Sequence, residues 1–108
     1  MFMRKLKAAV DKVRKETTDN RSKLPKLTEK NYPPQMVKWA EGLIETLEAD
    51  SQEAQATYNH EITKNVHESS ADSLLNDKLT IDKAITKLDT EHKEWKKTSG
   101  SEIQKLVS

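Results

Sequence analysis

Two apolar stripes in the second half of the chain constrain its fold more than any other feature. Their members recur at steps of three, four and seven residues, the spacing of one face of an α-helix. The first stripe comprises Met36, Ala40, Leu43, Leu47, Ala54, Tyr58, Ile62 and Val66. The second comprises Leu74, Ile81, Ile85, Leu88, His92 and Trp95. A short polar segment separates the stripes, so we expect two long helices folded back on each other along narrow, coiled-coil-like seams.

The remaining residues predict an all-α fold in one domain, 1–108. A short first helix is expected over 3–17, because its apolar residues share one narrow arc. Three prolines, Pro25, Pro33 and Pro34, indicate a connector over 18–34, with Pro34 opening the next helix. The further predictions are a helix over 34–67, a turn over 68–72, a helix over 73–97 that Ser99 and Gly100 stop, and a short helical turn over 101–107 behind a Ser99–Glu102 capping box. The architecture is therefore a three-helix bundle or a coiled-coil-like hairpin.

The composition indicates that the seams need a cover. Only 33% of the 108 residues are hydrophobic, while 34% are charged. A chain of this size buries about 60–65% of its surface when it folds, and a helix with a thin stripe is stable only when another helix covers that stripe. We therefore expect the protein to associate with itself or with another helical protein.

No residue pattern points to a reaction or to a bound cofactor. Cysteine is absent, only two glycines are present, and the three histidines are not clustered as metal ligands. The carboxylates are expected on exposed helix faces, away from any pocket. His92 lies on the second stripe, where it is either a hydrogen-bonded seam residue or a pH-sensitive contact. The sequence thus favours a protein that is not an enzyme and has no metal, cofactor or small-molecule substrate.

Charge is distributed unevenly along the chain. Residues 1–30 carry ten Lys or Arg against four acids, whereas residues 31–80 carry three against nine. The basic residues surround the apolar arc of the first helix, which is typical of a helix lying on anionic lipid. The alternative is that this arc packs against the hairpin. Specific nucleic-acid binding is not expected, because stacking aromatic residues are missing from the basic region.

The order of these segments resembles the first part of a BAR domain, from about Leu6 to Trp95. The resemblance is carried by KLKAAVDKVRKE, KLPKL, EADSQEAQATYNHEITKNVHE and LNDKLTIDKAITKLDTEHKEWKK, the last with Lys87, Leu88, Asp89 and Trp95. It implies a helical hairpin that attaches peripherally to membranes. Because the family has a further long helix beyond the point that matches Ser108, it also implies a fragment or a shortened relative.

Taken together, these features predict a cytoplasmic, non-enzymatic assembly or scaffold module that self-associates or binds a partner helix. Large aromatic side chains are the preferred anchors of such contacts. The predicted interface comprises Trp39, Leu43, Leu47, Tyr58, Ile62, Ile81, Ile85, Leu88 and Trp95. The alternative is a BAR-like, membrane-peripheral module. It would contact anionic lipid or an acidic partner through Arg4, Lys5, Lys7, Lys12, Arg14 and Lys15.

Overall fold

The structure is a computed structural model that describes residues 2–67 and 71–108, without the side chains of Phe2 and of 65–76. The all-α fold is confirmed, and the predicted short first helix and two long helices are all present. They are α1 (Phe2–Glu29), α2 (Pro34–His67) and α3 (Ala71–Trp95). A π-helical segment, Lys96–Gly100, joins α3 to a short α4, Ser101–Val107. Of the predicted turn over 68–72, residues 68–70 lie outside the described residues, as do the side chains of Val66 and Leu74. Residues 71 and 72 already belong to α3, so this helix begins two residues before the predicted start at 73.

The first helix is much longer than predicted, and the connector predicted over 18–34 is wrong. α1 continues through Pro25 and ends at Glu29. Two polar side chains of this stretch, Thr17 and Asn20, are buried and are satisfied by hydrogen bonds to carbonyls of the preceding turn. Thr17 Oγ1 donates to the Arg14 carbonyl at 2.8 Å, and Asn20 Nδ2 donates to the Glu16 carbonyl at 2.8 Å. Pro25 is exposed. Leu27, two residues later, is fully buried and packs the last turns of α1 against the bundle.

The link between α1 and α2 is a tight turn over residues 30–33. Asn31 adopts a positive φ of 64°, the left-handed conformation that commonly ends helices. The Tyr32 amide donates to the Leu27 carbonyl at 3.0 Å, which satisfies a carbonyl of the last helical turn. Pro34 is the first residue of α2, as its missing N–H predicts. The two helices are therefore antiparallel neighbours.

The C-terminal part of the chain does not stop where the sequence predicts. Gly100 has helical dihedral angles (φ −62°, ψ −40°), and α4 starts without a side-chain cap, so the predicted Ser99–Glu102 capping box does not form. Ile103 is fully buried and anchors α4 to the bundle. The segment predicted as a stop and a separate turn is thus a continuation of the third helix.

The helices form a three-helix bundle, 58 Å long and 22 by 18 Å across. α1 packs against both α2 and α3, which also pack against each other. The core contains Leu6, Val10, Val13, Leu27, Ala40, Ile44, Leu47, Ala54, Ile81, Leu88, Trp95 and Ile103. Within the described residues, no helix combines the length and apolarity that a membrane crossing requires.

Candidate binding surface around Trp39

The bundle divides the predicted interface residues into three groups. Leu47, Ile81, Leu88 and Trp95 are at most 6% exposed, because α1 completes the core around them. Leu43, Tyr58 and Ile85 are half-buried and pack against that core. Trp39 and Ile62 remain 46% and 42% exposed. The structure therefore corrects the predicted interface at its four buried positions, whose cover is supplied by the chain itself.

Trp95 is locked inside the bundle by one hydrogen bond and one close contact. Its Nε1 donates to the Leu43 carbonyl at 2.7 Å, which satisfies the buried indole N–H. Its ring lies over Gly100, where an added Cβ would be 2.9 Å from Trp95 Cζ3. Glycine at this point of the π-helical turn gives the ring the space that it occupies. Trp95 is thus a core residue that links α3 to α2.

Trp39 lines two shallow, open hollows on the surface of the bundle. The first hollow, about 430 Å³, is lined by Pro33, Gln35 and Met36 together with Trp39. The second, about 370 Å³, lies between α2 and the π-helical turn and α4. It is lined by Trp39, Leu43, Lys97, Thr98, Ser99, Ser101, Glu102 and Lys105. We call Trp39 and the residues that line these hollows the Trp39 surface.

The second hollow of the Trp39 surface is basic on one wall. Lys97 has no ion-pair partner among the described residues, and Lys105 approaches Glu102 at 3.8 Å with both side chains more than half exposed. An exposed pair at that distance contributes little to stability. The opposite wall consists of the apolar groups of Trp39 and Leu43. Such a groove can hold an apolar side chain and an anionic group side by side.

The six predicted lipid-contacting residues form a basic cluster: Arg4, Lys5, Lys7, Lys12, Arg14 and Lys15. All six are exposed, and none forms an ion pair with another described residue. The apolar arc that they surround is not free, however. Leu6, Val10 and Val13 are fully buried in the bundle. Of the two alternatives for this arc, packing on the hairpin is the one observed.

Several titratable groups are buried, although the sequence predicted carboxylates on exposed faces. Glu61 and Asp77 are 3% and 1% exposed, and Lys64 Nζ lies 2.9 Å from Asp77 Oδ1. Burial raises the pKa of Glu61, and the neighbouring Asp77 raises it further. The hydrogen bond from Lys64 holds the pKa of Asp77 below its usual value. This pair is an internal polar contact between α2 and α3.

A second acidic pair lies between the same two helices. Burial raises the pKa of Glu91, and the Asp50 carboxyl group adds to this effect. Lys87 Nζ lies 2.8 Å from Glu53 Oε1 beside this pair, in a groove of about 200 Å³. Among the described residues, no group of three or more His, Asp or Glu side chains is arranged to hold a metal ion.

His92 is buried on the face of α3 that packs against α1. It is 5% exposed, and its Nε2 atom has no hydrogen-bond partner among the described residues. Burial lowers the pKa of His92. Lys12 and Lys96 lower it further, while Glu16 and Asp89 oppose them. The buried position that the second stripe predicts for His92 is confirmed.

Sequence reasoning named Trp39 as an interface residue but did not name the lysines that line a hollow with it. Lys97 in the π-helical turn and Lys105 in α4 line the same hollow, and nothing in the local pattern predicts that turn. The sequence signal that was available is a large aromatic residue, Trp39, between the stripe residues Met36 and Leu43. Comparison with protein-family models, curated proteins and solved structures finds no match to this chain, so its fold and surfaces carry the functional argument.

Proposed function

We propose that this protein is a non-enzymatic helical module that binds another protein chain through the Trp39 surface. The observation that carries the proposal is the exposure of Trp39, which is 46% accessible beside two hollows. A tryptophan that a partner buries contributes strongly to the binding free energy, and tryptophan is enriched at the centres of protein interfaces. The partner is either a second copy or a different protein, and it would pack on the outside of the closed bundle.

Photo-crosslinking tests this proposal directly. Trp39 is replaced by p-benzoylphenylalanine in the full chain, which is expressed in its own cells and irradiated. The matched control places the same residue at Leu79, another large apolar position that is 53% exposed. We expect a discrete crosslinked product from position 39 that is absent from position 79. Equal products from both positions, or none from position 39, would contradict the proposal.

A second candidate function is peripheral attachment to an anionic membrane, as the BAR-like resemblance suggests. It is favoured by the basic cluster, whose six side chains are exposed and without ion pairs among the described residues. Each basic residue close to an anionic surface contributes about 1 kcal/mol. Because Leu6, Val10 and Val13 are buried, this attachment would be electrostatic and would not insert an apolar face into lipid.

Co-sedimentation with vesicles tests the second candidate. We expect binding to phosphatidylserine-containing vesicles at low salt, and its loss at high salt or with phosphatidylcholine alone. The triple variant Lys5→Gln, Lys7→Gln, Lys12→Gln should lose most of the binding. The control triple variant Lys78→Gln, Lys83→Gln, Lys93→Gln removes the same charge from exposed positions on α3 and should retain it. Salt-resistant binding, or equal loss in both variants, would refute the electrostatic attachment.

A further inference from the structure

The two hollows of the Trp39 surface differ in chemistry, which restricts what can occupy them. The hollow lined by Pro33, Gln35 and Met36 carries no charged residue. The hollow on the other side carries Lys97 and Lys105 along the wall that faces Trp39 and Leu43, with Glu102 as its only acid. A ligand that occupies both hollows around Trp39 would therefore meet an uncharged region and a cationic region.

The cations of the second hollow are available to a ligand. The π-helical turn separates two adjacent lysines: Lys96 lines a groove with Glu16 and Lys23, while Lys97 lines the hollow beside Trp39. Lys97 forms no ion pair within the described part of the chain. Lys105 is 73% exposed and only loosely associated with Glu102 at 3.8 Å, so exchanging that contact for a ligand carboxylate costs little.

We infer that the Trp39 surface takes an acidic peptide segment of a partner protein, in which a bulky apolar side chain is flanked by carboxylates. The apolar side chain packs beside Trp39, and a carboxylate bonds to Lys97 or Lys105. Charge complementarity favours this occupant over a basic or a neutral segment. The inference rests on the proposed protein-binding function and adds to it the chemical class of the partner.

Selection from a peptide library tests separately whether the Trp39 surface binds a peptide and whether that peptide is acidic. Random short peptides displayed on phage are selected on the immobilised full chain and counter-selected on the Trp39→Ala variant, which leaves only Trp39-dependent binders. The recovered peptides are synthesised, and their affinities are measured for the wild type and for Lys97→Glu and Lys105→Glu. Lys78→Glu is the matched control, since it makes the same charge change at an exposed site about 28 Å away along the helix.

We expect the Trp39-dependent peptides to be enriched in Asp and Glu next to Leu, Phe or Trp. Lys97→Glu should weaken their binding by about tenfold or more, as loss of a charge-assisted contact implies, and Lys78→Glu should leave it unchanged.

Neutral or basic peptides, or equal affinity for all three lysine variants, would overturn the acidic partner while leaving the Trp39 surface as a binding site. Recovery of no Trp39-dependent peptide would count against both proposals. Sedimentation that shows a dimer for the wild type and a monomer for Trp39→Ala would overturn the inference in favour of a second copy.

Discussion

The buried side chain of His92 makes the stability of the bundle depend on pH in the acidic range. Burial lowers its pKa below the usual 6.5, so the unfolded chain binds a proton at a higher pH than the folded chain does. The stability contributed by the neutral imidazole is therefore complete above pH 6.5 and is lost as pH falls through the folded-state pKa. In that window the free energy of unfolding should fall by at most about 1.4 kcal/mol per pH unit from this group.

Substitution of His92 by Gln should remove this pH dependence. Urea unfolding of the wild type and of His92→Gln is compared between neutral pH and pH 5, and we expect the variant to show a shallower decline. The control His60→Gln changes an exposed histidine and should reproduce the wild-type slope. If His92→Gln keeps the wild-type slope, the imidazole is not the group that titrates.

Glu91 gives stability the opposite pH dependence from His92, because burial raises the pKa of Glu91. Burial and the adjacent Asp50 keep its proton bound above the usual 4.5, so its contribution to stability is complete below that pH and is lost as pH rises through the folded-state pKa. We expect Glu91→Gln, which cannot ionise, to exceed the wild type in unfolding free energy at neutral pH. The difference should vanish below pH 4.5. Glu94→Gln, at an exposed position of the same helix, is the control and should show no such crossover.

At the scale of the elements, the two glycines provide opposite tests of local packing. A Cβ added at Gly100 would meet the Trp95 ring at 2.9 Å, and that ring is held in place by its hydrogen bond to α2. A Cβ at Gly42 would meet nothing within 4 Å. We expect Gly100→Ala to lower the free energy of unfolding by about 1–3 kcal/mol, as overpacking does. We expect Gly42→Ala to raise it by about 0.5–1 kcal/mol, the helix-propensity gain over glycine.

Urea denaturation at a constant m-value measures both effects. If Gly100→Ala proves as stable as the wild type, the Trp95 ring has moved, and its indole NMR signal should then shift. If Gly42→Ala destabilises the chain, another group must lie close to Gly42, in contrast to the open space observed there. Either result would revise the packing at this end of the molecule.

The elements also show where sequence reasoning succeeds and where it fails. The start of α2 at Pro34 was predictable, because proline there sets a helical φ and needs no hydrogen-bond partner. The path of α1 through Pro25 was not predictable from local preference. It depends on burial of Leu27 and on the Arg21–Glu48 contact at 2.8 and 2.6 Å, and both are tertiary interactions. The π-helical turn likewise depends on Trp95 packing over Gly100, so Lys97 could not be assigned to the Trp39 surface in advance.

At the scale of the whole molecule, α1 is the cover that the two seams require. The sequence indicated two amphipathic helices with apolar surface left over, and assigned that surface to a partner. In the folded chain α1 supplies Leu6, Val10, Val13 and Leu27 to the core, and the seam residues Leu47, Ile81 and Leu88 become inaccessible. The large apolar side chains that stay exposed are Trp39, Ile62 and Leu79 among the described residues, and the basic cluster of α1 is exposed as well.

A charged side chain on the buried face of α1 should therefore detach this helix from the other two. Val10 is fully buried, whereas Ala8, two residues earlier on the same helix, is exposed. We expect Val10→Asp to lower the free energy of unfolding by about 3 kcal/mol or more, because it buries an unpaired carboxylate, and Ala8→Asp to change it by less than about 0.5 kcal/mol. Binding of the dye ANS should rise for Val10→Asp alone, since loss of α1 exposes the hairpin seams. Equal stability of the two variants would mean that α1 does not close the core, and the seams would again be the surface that a partner binds.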